Sequence, residues 1–174
     1  MKTLTLLGVT LVALAGLVGC TTTQPPNAGA GAGIVLSPQD EAAVRAMVAE
    51  FANAWNHDDM KGMRELLAED VLWILGNGNV WRGKEEVYRF YGIYSGKGPS
   101  NPLRIEKMEV RCLAPQVAVA TAKIWHGPEI SELHRLDSFV MAKSGGAWKI
   151  VHFHSTVINP DVAKHDRPDF GVTR

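Results

Sequence analysis

Two histidines one residue apart hold the densest chemistry in this chain. They stand in Trp148-Lys149-Ile150-Val151-His152-Phe153-His154-Ser155, a strand pattern announced by the turn Ser144-Gly145-Gly146. Side chains alternate along a strand, so Trp148, Ile150, His152 and His154 share a face, and Lys149 marks the wetter one. Both imidazoles are therefore expected to point inward. Other lysines serve as markers in the same way. Lys123 leaves Ala118, Ala120, Ala122, Ile124 and His126 inward, and Lys143 leaves His134, Leu136, Ser138, Val140 and Ala142 inward. Four of the six histidines then meet on one sheet face, beside a row of three alanines that leaves room for a cavity.

Three chemistries suit such a face. A neutral imidazole can act as general acid or base near neutral pH, which makes His152 and His154 the candidate catalytic pair. A His-x-His pair can hold two positions of a divalent metal, but it needs a third ligand. His126 or His134 could supply that ligand, yet no inward Asp or Glu accompanies them, so neither metal nor cofactor is assigned. Nucleophilic catalysis through Ser138 or Ser155 lacks an elbow motif and an acid partner. A plainer reading competes, in which a buried histidine bonds a backbone carbonyl or a nearby serine. His126 and His134, near strand ends, suit that structural or rim role. The expected ligand lining is Trp55, Trp73, Tyr91, His126, His134 and Ser138, since Trp and Tyr suit an apolar ligand with one polar end.

The elements that must hold this face are readable in order. Ser37, then Pro38 and Asp40, form a helix N-terminus. Val44, Met47, Val48, Phe51 and Trp55 recur at helical spacing to about residue 56. Asp58 or Asp59 can cap a second short helix through Leu67, which Asp70 closes. Val71 to Leu75 is a strand run, and Gly76-Asn77-Gly78-Asn79 turns it into Val80-Trp81. Lys84 to Tyr94 reads as a third helix, followed by a Gly/Pro loop from Ser95 to Pro102. From Ile105 the period becomes two, and four strands follow: Ile105 to Leu113, Val117 to His126, Leu133 to Lys143, and Trp148 to Thr156. Helices first and an antiparallel meander after predict an α+β domain with the helices on one face of the sheet.

The 174 residues suit one domain behind a processed leader. Lys and Arg number 18, as do Asp and Glu, a balance that argues against a nucleic-acid or polybasic membrane surface. Leu4 to Val18 is an apolar run after Lys2, short for a bilayer core of about 30 Å and without a stop-transfer charge. It ends in Leu17-Val18-Gly19-Cys20, which resembles the bacterial lipobox. That resemblance implies a signal peptide over residues 1–19 and a lipidated Cys20, with Thr21 favouring an outer-membrane anchor facing the periplasm. Residues 20–36 are then the lipid-bearing cysteine and a flexible tether, 37–158 the folded domain, and 159–174 a tail. Acylated Cys20 leaves Cys112 alone, so no internal disulfide forms, and Cys112 reads as a small core hydrophobe.

The order Phe51-Ala-Asn-Ala-Trp-Asn-His-Asp-Asp, Leu67-Ala-Glu-Asp-Val, Trp81-Arg-Gly-Lys-Glu-Glu, then Trp148-Lys-Ile-Val-His-Phe-His-Ser resembles the SnoaL-like group of the nuclear transport factor 2-like superfamily. The resemblance covers about residues 38–158. It implies three helices against a curved antiparallel sheet, a cystatin-like roll that encloses an apolar cone, commonly dimeric through the outer sheet face. Isomerases and cyclases of the superfamily use an inward carboxylate; here Ile74 and Leu75 stand where an isomerase-like base falls. Limonene epoxide hydrolase-like members use an Asp-Arg-Asp set, but the alternation above puts Arg135 and Asp137 outside. Three functions follow as expectations. The first is a lipoprotein that binds a small apolar molecule oriented by His152 and His154. The second is a hydrolase, isomerase or cyclase with a histidine base. The third is a dimeric adaptor with an apolar outer patch of Phe139, Met141, Val151 and Phe153.

Overall fold

The computed structural model describes residues 35–127 and 133–158. The expected leader, Cys20, the expected tether up to residue 34 and the tail lie outside the described residues.

Helix α1 (Pro38–Asn56) starts where the sequence places it, with the Ser37 hydroxyl accepting from the Asp40 amide at 3.1 Å. Its apolar stripe of Val44, Val48, Phe51 and Trp55 is buried. At the far end Asn56 grips the next layer, its amide donating to the Leu103 carbonyl at 3.0 Å and its oxygen accepting from the Leu103 amide at 2.7 Å. Helix α2 (Met60–Glu65) is capped by Asp59, which accepts from the Gly62 amide at 2.8 Å. The helix is shorter than expected, because strand β1 (Leu67–Ile74) already begins at Leu67. Strand β2 (Val80–Arg82) returns antiparallel to β1, and helix α3 (Lys84–Gly92) follows.

Strands β3 (Leu103–Ala114), β4 (Val117–His126), β5 (Leu133–Ser144) and β6 (Ala147–Val157) form the expected antiparallel meander. The six strands make one sheet in the order β2-β1-β6-β5-β4-β3, with the helices packed on one face. One ladder departs from the antiparallel expectation, because β1 joins β6 in parallel, Trp73 beside Phe153. This is what closes the helical half onto the meander.

Phe51 is the hub of the core. Its ring lies 5.7 Å from Trp73, 5.3 Å from Phe139 and 5.9 Å from Phe153, and Trp73 stacks on Phe153 at 4.0 Å. One helix thereby gathers aromatics from β1, β5 and β6. Such rings contribute about 0.5–1.5 kcal/mol per pair beyond their buried area.

Two strand faces differ from the sequence reading. On β4 the alternation holds, with Ala118, Ala120, Ala122 and Ile124 fully buried and His126 nearly so. On β5 it is reversed. Lys143 does not mark the outer face, since its ammonium reaches inward to Asp40 of α1 at 2.6 Å. Asp137, Phe139 and Met141 are the buried side chains, while His134, Leu136, Ser138 and Val140 are half-buried on the opposite face.

On β6 the alternation begins as expected, with Trp148 and Ile150 buried, and then changes phase. Met141 pairs with Ile150 but Val140 pairs with His152, so Val151 is an extra residue in the ladder. A bulge of this kind turns every later side chain to the other face. Phe153 and Ser155 enter the core, and His152 and His154 leave it. The outer patch expected from Phe139, Met141 and Phe153 is thus the core itself.

Candidate cavity between the helices and the sheet

The cavity opens between α1, α3 and the inner sheet face, with a volume of about 240 Å³. Phe51 and Trp55 come from α1, and Phe90 and Tyr91 from α3. Tyr94 comes from the loop that follows, and Leu75 and Leu103 close the strand side. Its basic groups are His126 at the end of β4 and Arg135 near the start of β5. The wall is therefore mostly aromatic, with two nitrogen-bearing side chains from adjacent strands.

Local sequence explains this placement. Ile124 and Arg135 are directly opposed across β4 and β5, so His126, two residues on, shares the inner face with Arg135. Trp55 is fixed by its indole N–H, which donates to the Asn101 carbonyl at 2.7 Å. Its ring meets Tyr91 at 5.8 Å and His126 at 5.8 Å, both edge to face. The loop carrying Tyr94 is held by Asp58, whose carboxylate accepts from the Gly96 amide at 2.7 Å and the Ser95 hydroxyl at 3.1 Å. Asp58 has a φ of 58°, a conformation that a non-glycine residue holds only when its surroundings impose it. Gly98 lies against α1 so closely that a Cβ there would fall 1.8 Å from the Trp55 carbonyl oxygen.

Behind the cavity wall stands a charged pair. Arg135 donates to Asp137 at 2.9 Å, and Asp137 is 0% exposed. Burial pushes the Asp137 carboxyl above the usual carboxylate range, with the adjacent guanidinium pulling the other way. Burial also pushes His126 down to about 4, helped by the positive charge of Arg135, so its imidazole is neutral at pH 7. Tyr91 is pushed up by burial and stays a neutral phenol. His126 Nε2 and Arg135 Nε are buried without a hydrogen-bond partner among the described residues.

Of the sequence candidates, Trp55, Tyr91 and His126 line the cavity. Trp73 is fully buried behind it, stacked on Phe153. His152, His154, His134 and Ser138 are on the other side of the sheet, where His154 pairs across strands with Ser138. The reversed face of β5 and the bulge at Val151 account for all four. His134 there meets Glu106 at 3.3 Å. Burial lowers the pKa of His152, with the His154 charge acting in the same direction. Arg135 is the lining residue the sequence reading placed outside. The signal that marks it is bulk, because Arg135 and Asp137 are in phase with Phe139 and Met141, the largest apolar side chains of that strand. Among the described residues no three His, Cys, Asp or Glu side chains come together as metal ligands, and no helix is long and apolar enough to cross a membrane.

Comparison with solved structures agrees with this architecture. An uncharacterized protein with a cystatin-like fold from Caulobacter vibrioides is 21% identical with a TM-score of 0.66, over 74% of this chain and 96% of that one. A domain of unknown function with a cystatin-like fold from Nostoc punctiforme is also 21% identical, with a TM-score of 0.65 over 74% of this chain and 83% of that one. An NTF2-like protein of unknown function from Pseudomonas putida is 18% identical, with a TM-score of 0.64 over 78% and 99%. At these identities the likeness is one of fold. No curated protein matches the chain. The family model described as SnoaL-like domain matches residues 44–160. With its three helices on a six-stranded sheet and that match over most of its length, the chain belongs to the SnoaL-like family of the NTF2-like superfamily.

Proposed function

We propose that the domain binds a small, mostly apolar molecule in the cone cavity, with its polar end met by Arg135 and His126. The observation that carries this reading is the cavity's composition, aromatic walls with an imidazole and a guanidinium from adjacent strands. Its volume of about 240 Å³ is below the range typical of drug-sized ligands, which favours a single ring or a short chain. His152 and His154 have no part in this role. Native mass spectrometry of gently purified protein tests it. Leu103→Trp, which fills the cavity, should abolish a co-purified ligand, and the pair His152→Ala, His154→Ala should retain it. The opposite pattern would return the site to the outer histidines.

A second reading rests on Asp137. A buried carboxyl with a raised pKa suits a general acid or base, and proton transfer would then be the reaction class. Asp137 is fully buried and absent from the cavity wall, so binding is the better supported role. The lipobox supports an envelope anchor through Cys20; Cys20→Ala should move the protein from the membrane fraction to the soluble one. The outer sheet face, with Leu72, Ile74 and Val140, is the surface we assign to a second copy. Sedimentation of Val140→Glu, compared with wild type, tests that assignment.

A further inference from the structure

We infer that the cavity selects uncharged ligands, and that Asp137 enforces this selection by neutralising Arg135, the only charged side chain in the wall among the described residues. The inference rests on the binding role proposed above and specifies the class of molecule bound.

The argument is one of charge balance. Arg135 alone would make the apolar cone a trap for carboxylates, because guanidinium recognises them bidentately. Its charge is already met by Asp137 at 2.9 Å. The guanidinium and its hydrogen bond favour the ionised carboxyl against the upward push of burial, and Asp137 is fully buried, so the pairing is not exchanged for water. Of the other polar lining groups, His126 and Tyr91 add no charge at neutral pH, His126 being neutral above about 4 and Tyr91 held as a phenol by burial. An anion entering such a wall loses its hydration and finds a cation whose field is cancelled one side chain away. A cation finds no carboxylate in the wall to replace its hydration. Desolvation of an ion without a counter-charge is costly, whereas a carbonyl, amide or hydroxyl can use the remaining N–H groups of Arg135. The cavity therefore fits a small ring or chain that ends in a neutral hydrogen-bonding group.

Benzamide and benzoate test this, since they match in shape and differ in charge at pH 7. The readout is the Trp55 indole N–H resonance, which belongs to the cavity wall, followed by titration in wild type and in Asp137→Asn. Wild type should bind benzamide at least about tenfold more tightly than benzoate, because the anion pays desolvation without compensation. In Asp137→Asn the guanidinium is released, and benzoate should become the tighter ligand. Equal or tighter binding of benzoate by wild type overturns the inference, and it does so even if the variant fails to fold. An unchanged preference in a folded variant overturns the role of Asp137. Failure of both probes to shift the Trp55 resonance in either protein overturns the binding role itself, and the inference with it.

Discussion

Replacing Phe153 by Ala tests the bulge that sets the face of β6. The Phe153 ring is 1% exposed, stacks on Trp73 at 4.0 Å, and meets Phe139 at 5.0 Å and Phe51 at 5.9 Å. Truncation of a core phenylalanine costs about 3–5 kcal/mol, and the three aromatic partners place this one in the upper half of that range. Domains are stable by only about 5–15 kcal/mol, so the variant should be marginal. Urea unfolding followed by tryptophan fluorescence is the assay. With a slope near ~2 kcal/mol/M, a loss of about 4 kcal/mol lowers the midpoint by about 2 M. The comparison variant carries His152→Ala and His154→Ala. Its side chains are half-buried and exposed, so the loss should stay within about 1 kcal/mol, or ~0.5 M. If the histidine pair costs as much as Phe153, the strand carries its imidazoles in the core and the bulge is refuted.

Asp137→Ala should cost about 3–5 kcal/mol in the same assay, because it strands the buried charge of Arg135, and a near-neutral result would show that the pair is solvated. Gly98→Ala places a methyl against the Trp55 carbonyl, so the loop from Ile93 to Pro102 must shift. Hydrogen exchange at the Trp55 indole should then accelerate, and an unchanged rate would deny that this loop seals α1. Acid should destabilise the fold in two windows. His126 has a folded pKa of about 4 against an ordinary 6.5, so its contribution is full above 6.5 and is lost as the pH falls towards 4. Asp40 is held down to about 2 by hydrogen bonds from Lys143, Trp148 and Ser37, so its contribution is present above 3.8 and lost as the pH falls through 2. His126→Phe should flatten only the upper window and Asp40→Asn only the lower, as read from thermal midpoints against pH.

Much of the fold was legible because its signals are local. Ser37, Pro38 and the spacing of Val44, Val48, Phe51 and Trp55 are sufficient to define α1, and the alanines of β4 place its inner face without help from any neighbour. The site was legible only where a strand kept a simple alternation. Lys143 misled because a long side chain at a sheet end can bend to a helix carboxylate, here Asp40, while its stem follows the inner face. Arg135 and Asp137 were placed outside by that same alternation, and the structure shows why they can lie inside, since a pair at 2.9 Å satisfies itself and can be buried. His152 and His154 misled because a bulge leaves no residue signature at Val151. It is imposed by the partners on either side, β5 and β1, both of which shift register opposite it.

That single unpaired residue makes the chemistry of this strand a matter of counting. Before Val151, even-numbered side chains enter the core; after it, odd-numbered ones do. Drawing Val151 into the regular ladder would leave every amino acid of the strand unchanged, yet it would exchange Phe153 and Ser155 for the two imidazoles. The interior would gain a pair of titratable bases and lose its stacked ring in one step. A strand of this kind can therefore move between an inert wall and a reactive one through the gain or loss of a bulge alone, a route that comparison of aligned side chains does not register.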